Sequence, residues 1–241
     1  MSRFFEELDY RPTPIGPVIL RRRRVHALDR DVFEILLGEE HLMSSLFTAS
    51  EVALADICLA SLTDGPLDVV VGGLGLGYTA QAALRHENVR ELVVVEYLEP
   101  VIDWHAQNLL PLDPPLSADP RCRIVEGDFF AMAATPQGFD PQSPGRRFDA
   151  ILVDIDHAPD RLLDDRSGGF YAPDGLARLA ARLRPGGVMG LWSDDTPDDA
   201  FTARLVSVFG EARAEPVTFR NPLQGDREVT QTVYVARRVA G

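Results

Sequence analysis

Acidic side chains recur in this chain just after short β-branched, apolar runs. Leu92-Val-Val-Val ends on Glu96, Arg123-Ile-Val leads to Glu126-Gly127-Asp128, and Ala150-Ile-Leu-Val leads to Asp154-Ile-Asp156-His157. A fourth apolar run, Asp68-Val-Val-Val, ends on glycines instead: Gly72, Gly73, Gly75 and Gly77. Glycines let a backbone approach a ligand closely, and an acid at the end of the next strand can accept hydrogen bonds from ribose hydroxyls. Carboxylates gathered on one rim also attract a positive centre, the more strongly in a partly desolvated cleft. The neutral-range imidazole of His157 is suited to remove a proton from a nucleophile.

Two ligand classes fit these residues. Gly75-Leu-Gly77-Tyr-Thr-Ala80 matches the dinucleotide fingerprint G-x-G-x-x-A, and Glu96 lies 19 residues beyond Gly77. A nicotinamide-dependent oxidoreductase is therefore one reading. That fingerprint serves a pyrophosphate and asks for no acid after the third strand and no Asp-x-Asp after the fourth. The extra carboxylates favour an adenosyl sulfonium compound, a cation without phosphates. Asp154 and Asp156 would then hold a substrate amine or the sulfonium compound's amino group. Tyr78 and Gln81, opening the first helix after the turn, are candidate ligand contacts. Trp192-Ser-Asp194-Asp195 is either a wall of the acceptor site or a capping run before Pro197.

The elements that must position these residues alternate. Strands are expected at 68–72, 92–96, 122–125, 149–153 and 187–192. Helices are expected between them, at about 78–85, 100–109, 127–133 and 173–183. Strands separated by helices imply an α/β fold, a Rossmann-like, doubly wound, mostly parallel sheet. A helix near 198–209 and the strand-like runs 215–220 and 232–237 predict a C-terminal antiparallel hairpin. Residues 1–48 form a small β-rich N-terminal cap, with strands at 17–21 and 32–37, and 49–241 the ligand-binding domain. Helical spacing over 50–62 follows the cap, with Thr48 or Ser50 as N-cap and Asp64-Gly65-Pro66 as its stop. The Pro/Gly-rich stretches 111–120 and 135–147 are surface loops.

Composition excludes several classes. With 241 residues, 45% hydrophobic and 25% charged, the chain can bury a sizeable core. A net charge of −13 argues against a nucleic-acid partner and is compatible with cations, polyamines included. All 24 basic residues are Arg, which reflects genome composition rather than chemistry. No signal peptide and no apolar run of membrane-spanning length is found, so a cytoplasmic protein without a membrane partner is expected. Cys58 and Cys122 lack metal-type spacing, and no metal is expected. An exposed apolar strand edge in the cap would allow a homodimer.

Residues 68–195 resemble the spermidine synthase family, the polyamine aminopropyltransferases, which share the fold of class I S-adenosylmethionine-dependent methyltransferases. Gly72-Gly-Leu-Gly-Leu-Gly77 is similar to the family's G-G-G-D-G-G turn. Asp119-Pro-Arg-Cys-Arg-Ile-Val-Glu-Gly127-Asp128 is similar to its D-P-R-V…G-D segment, and Leu183-Arg-Pro-Gly-Gly-Val188 to its fifth strand. The resemblance implies Glu96 on the ribose, Asp128 at the adenine amino group, and S-adenosylmethionine or its decarboxylated form as cosubstrate. The departures are specific. Gly75 replaces the turn's acid, Asp154-Ile-Asp-His-Ala-Pro159 replaces D-S-S-D-P, and the Y-H-E motif falls near Leu54-Ala-Asp56 without its Tyr and His. A retained adenosine pocket beside a rewritten loop points to methyl transfer onto a small-molecule acceptor. Aminopropyl transfer to an amine and a non-catalytic family member remain alternatives.

Overall fold

The computed structural model describes residues 5–62 and 65–239. Asp64, expected to stop the first helix, lies outside them. Seven strands form one sheet, five of them parallel. Strands β5 (Leu67–Gly72), β6 (Val89–Glu96), β7 (Cys122–Glu126), β8 (Phe148–Val153) and β9 (Leu183–Ser193) run parallel. Every residue of β5 is buried. A continuous apolar run such as Val69-Val-Val71 is stable only where helices cover both faces of a sheet.

Alternation along the strands sends side chains to two cores. Val69, Val71, Leu92, Val94 and Leu152 meet helices α1 (Ala49–Ala60), α2 (Tyr78–Leu84) and α3 (Glu99–Ala106). Val70, Val93, Val95, Ile151 and Val153 meet α4 (Phe129–Ala134), α5 (Pro173–Ala180) and α6 (Asp199–Phe209). The chain leaves β5 towards β6 and β7, then returns to the other side of β5 as β8 and β9. That reversal opens a crevice at the carboxyl ends of β5 and β8, the place where such sheets bind ligands.

The C-terminal hairpin is larger than expected. It adds two antiparallel strands, β11 (Arg227–Arg238) beside β9 and β10 (Gly210–Asn221) outermost. The cap is a four-stranded antiparallel meander, β1 (Phe5–Arg11), β2 (Val18–Val25), β3 (Arg30–Leu37) and β4 (Glu40–Ser44). Strands β1 and β4 were not expected from the sequence, and β2 continues through the four arginines. Acids across the sheet sustain that continuation: Arg21 and Arg23 bond Glu34 at 2.6 and 2.8 Å, and Arg22 bonds Glu6 at 2.6 Å. Thr48 occupies the N-cap position of α1 but makes no side-chain capping bond.

The cap does not stand apart. Val18, Leu20 and Ile35 share one apolar cluster with Leu54, Leu74 and Val101. The Trp104 indole N–H donates to Asp9 of β1 at 2.7 Å. No helix among the described residues is long and apolar enough to cross a membrane.

Candidate active site

A cavity of about 570 Å³ lies in the crevice, within the usual range for a small-molecule site. Its floor is the glycine turn, one wall is β6 with Glu96, and another is the segment after β8. Met43 and Phe47 close it from the cap side, and Trp192, Asp194 and Gln231 from the ends of β9 and β11.

The turn is set by steric necessity. Gly73 has φ +90°, and a Cβ there would lie 2.1 Å from the carbonyl oxygen of Asp154. No side chain fits, so β5 and β8 approach closely at the floor. Gly73 and Gly75 border the cavity, whereas Gly72 and Gly77 shape the turn on either side. Above Gly75 sits Met43 of β4, whose sulfur accepts the Leu76 N–H at 3.0 Å. The cap thus rests directly on the glycine turn.

Glu96 is 7% exposed and accepts the N–H groups of Leu74 at 2.8 Å and Leu98 at 2.7 Å. Burial pushes its carboxyl upward, and those peptide donors pull the other way. The acid therefore braces the turn as well as facing the cavity. Asp128 caps α4 through the Ala131 N–H at 3.0 Å and remains exposed at the cavity edge beside Gly127.

Asp154 and Asp156 differ in what surrounds them. Asp154 accepts one hydrogen bond, from the Thr79 hydroxyl at 2.6 Å. Burial raises its carboxyl above the ordinary range. Asp156 is taken up by its own loop: it accepts from Tyr171 Oη at 2.7 Å, the Leu163 N–H at 2.7 Å and Ser167 Oγ at 3.4 Å. That carboxylate holds residues 156–171 in place. The imidazole of His157 lies at the rim, its Nε2 3.0 Å from Glu40 of β4, and its carbonyl accepts the Asp194 N–H at 2.7 Å.

Two expected contacts lie elsewhere. Tyr78 packs against the apolar cluster and interacts with Ser45, and Gln81 reaches the carbonyls of Asp113 and Pro114 at 3.4 Å each. Neither borders the cavity. The helix turns both away from the turn it follows.

One acid at the centre was not anticipated. Glu51, in the first turn of α1, is 7% exposed and borders the cavity. Burial raises its carboxyl, and the neighbouring charges of Asp154 and Asp194 raise it more. An acid in the first turn of a helix is ordinarily a favourable charge at the helix N-terminus, so nothing in the sequence singled it out. Gln231, also missed, bonds Asp194 at 2.7 Å. Seven carboxylic side chains border the cavity in all, against two arginines, Arg166 and Arg178. Among the described residues, no three or more His, Cys, Asp or Glu converge as they would on a metal ion.

No family model matches the chain. It is 29% identical over 161 residues to polyamine aminopropyltransferase 2 of Pseudomonas aeruginosa, covering 64% of this chain and 43% of that protein. It is 25% identical over 160 residues to the polyamine aminopropyltransferase of Pyrobaculum islandicum, covering 66% and 52%. The chain thus spans about half the length of the curated relatives it matches. Two crystal structures share the fold over 96% of this chain. Spermidine synthase in complex with the transition-state analogue AdoDATO gives a TM-score of 0.72 at 17% identity and is covered over 73% of its length. Spermidine synthase from Thermotoga maritima gives 0.70 at 16% and is covered over 72%. In sequence the chain resembles the polyamine aminopropyltransferases, and it has the spermidine synthase fold, a variant of the S-adenosylmethionine-dependent methyltransferase sheet.

Proposed function

We propose that this chain is a group transferase that moves an aminopropyl group from decarboxylated S-adenosylmethionine to a small amine. The observation that carries the reading is a pair of carboxyl groups, the buried Glu51 and the half-buried Asp154, beside the glycine turn with no arginine bonded to either. An unneutralised acid pair is costly in an empty protein and favourable once a cation enters.

The chemistry is an in-line displacement. A neutral amine nitrogen attacks the methylene carbon attached to sulfonium sulfur. The carbon–sulfur bond breaks, its electron pair stays on sulfur, and methylthioadenosine leaves. The new secondary ammonium gives up a proton. In this reading Asp154 accepts that proton, because its carboxyl is raised towards neutrality and spends only one acceptor site on Thr79. His157 was the base expected from the sequence; its ring nitrogen is engaged by Glu40. Glu96 and Asp128 would hold the ribose and adenine, and the cavity walls would exclude water and fix the line of attack. Asp156 would act through the loop it anchors.

Methyl transfer, suggested by the rewritten loop, uses the same displacement at a different carbon. The names of the relatives favour the aminopropyl group. A dinucleotide is disfavoured by the cavity itself, where a pyrophosphate would meet seven carboxylic side chains.

The test is turnover of decarboxylated S-adenosylmethionine with a panel of mono- and diamines, followed by methylthioadenosine release. Release with at least one amine is expected. Release of S-adenosylhomocysteine from intact S-adenosylmethionine would restore methyl transfer. Neither product, together with no binding of methylthioadenosine by calorimetry, would leave a non-catalytic protein.

A further inference from the structure

Behind the acid pair, a chain of hydrogen bonds runs from the cavity to solvent. Ser50 Oγ lies 2.8 Å from Glu51 Oε2 and 2.5 Å from Gln231 Oε1. Gln231 Nε2 donates to Asp194 Oδ1 at 2.7 Å. Asp194 is exposed and has the guanidinium of Arg161 within 3.8 Å. The Gln231 NH₂ faces Asp194 as donor, which leaves the amide oxygen facing Ser50. A hydroxyl has one proton. Facing an amide oxygen at 2.5 Å, Ser50 must donate to it, and its oxygen is then left to accept from Glu51. Only a protonated Glu51 can supply that bond.

We infer that Gln231 is a positioning residue that keeps Glu51 as a neutral acid, so that the Glu51–Asp154 pair holds one proton and Asp154 alone is ionised. The opposite end of the pair agrees. Thr79 also has one proton, and its hydroxyl lies 2.6 Å from the Asp154 carboxylate and 3.4 Å from the Glu51 carbonyl, so it donates to Asp154. The groups facing Glu51 are Ser50 on its own helix, Asp154 after β8, Asp194 after β9 and Gln231 on β11; Tyr78 of α2 lies within its electrostatic reach. None is a cation. Burial raises both acids of the pair, Glu51 the further. In the transferase reading on which its consequence rests, the neutral Glu51 accepts an N–H of the incoming amine through its free oxygen, and Asp154 removes the proton.

Infrared spectroscopy of the ligand-free protein at neutral pH tests this without any substrate. The carbonyl stretch of a protonated carboxyl group should appear in wild type and be missing in Glu51→Gln. It should also fall to background in Gln231→Leu, where Ser50 is released to donate to an ionised Glu51. Gln231→Met, which also removes the amide, serves if Gln231→Leu fails to fold by circular dichroism. A spectrum unchanged between wild type and Glu51→Gln would overturn the inference, as would a band that persists in folded Gln231→Leu or Gln231→Met. Absence of turnover would count against the transferase reading and leave this result standing.

Discussion

Two rims of the same sheet hold buried acids, and they hold them in opposite ways. At the amino end, Asp68, the second residue of β5, is 1% exposed and is bonded by Arg90 at 2.9 Å, Arg184 at 2.7 Å and Arg146 at 3.0 Å. Arg146 continues to Glu91 and Asp140, and Arg123 joins the same two acids. Burial alone would raise the Asp68 carboxyl, and the guanidinium groups overcome it and bring it down to about 2. At the carboxyl end, Glu51 and Asp154 have no such partners, and burial raises both. The depth of an acid is therefore a poor guide to its state. Whether the fold supplies the countercharge decides it, and here the fold supplies it on the amino-end rim and withholds it on the cavity rim.

The comparison can be broken by substitution. The largest effect is expected from Asp154→Asn, which should lower kcat/KM about 10²–10⁴-fold in the methylthioadenosine-release assay, with methylthioadenosine affinity nearly unchanged. Equal activity in this variant would remove Asp154 from the reaction. Asp68→Asn should instead destabilise the protein by ~3 kcal/mol, read as a lower urea midpoint, because Arg146 and Arg184 lose their partner while remaining partly buried. Ligand affinity measured well below that midpoint should not change.

The two rims should also answer pH with opposite signs. The depressed carboxyl of Asp68 contributes stability above its unfolded value of 3.8, and the contribution is lost as pH falls from there to about 2. The raised carboxyls of Glu51 and Asp154 cost stability at neutral and higher pH, and the cost is relieved as pH falls through their folded values. The ligand-free protein should therefore melt higher near pH ~5 than near pH ~8, and lower again below about pH 4. In Glu51→Gln the difference between pH ~8 and pH ~5 should shrink, and the ligand-free variant should be more stable at pH ~8 by on the order of 1 kcal/mol. A pH profile identical to wild type would mean that the pair is relieved by another route. The smallest effect is expected at Gln81→Ala, which should leave binding and turnover within about twofold, since surface changes away from a site rarely matter.

Much of the fold was legible in the sequence, and the reason for the remainder is physical. Apolar β-branched runs mark β5, β6 and β8 because buried parallel strands tolerate little else. The acids that end those strands could be placed at the cavity from topology alone. Strands β1 and β4 escaped notice because each mixes exposed charges with few buried positions, as in Glu40-His-Leu-Met-Ser44, and cross-strand pairing stabilises them. Glu51 and Gln231 were missed for a related reason. One sits in the first turn of a helix, where an acid is ordinary, the other in a strand whose apolar neighbours dominate the pattern, and only tertiary packing brings them within reach of Asp154 and Asp194. Tyr78 and Gln81 show the converse: adjacency to the glycine turn in sequence did not become adjacency to the cavity.

The seating of Met43 on the glycine turn, together with the Asp9–Trp104 bond and the shared apolar cluster, bears on how the molecule comes apart. A cut at residue 48 would follow the change in sequence character, yet it would strip the lid from the turn and leave Leu54, Leu74 and Val101 facing water. Heating should accordingly melt meander and sheet in one transition, and a nucleoside docked against the turn should slow amide exchange in strands that it never touches.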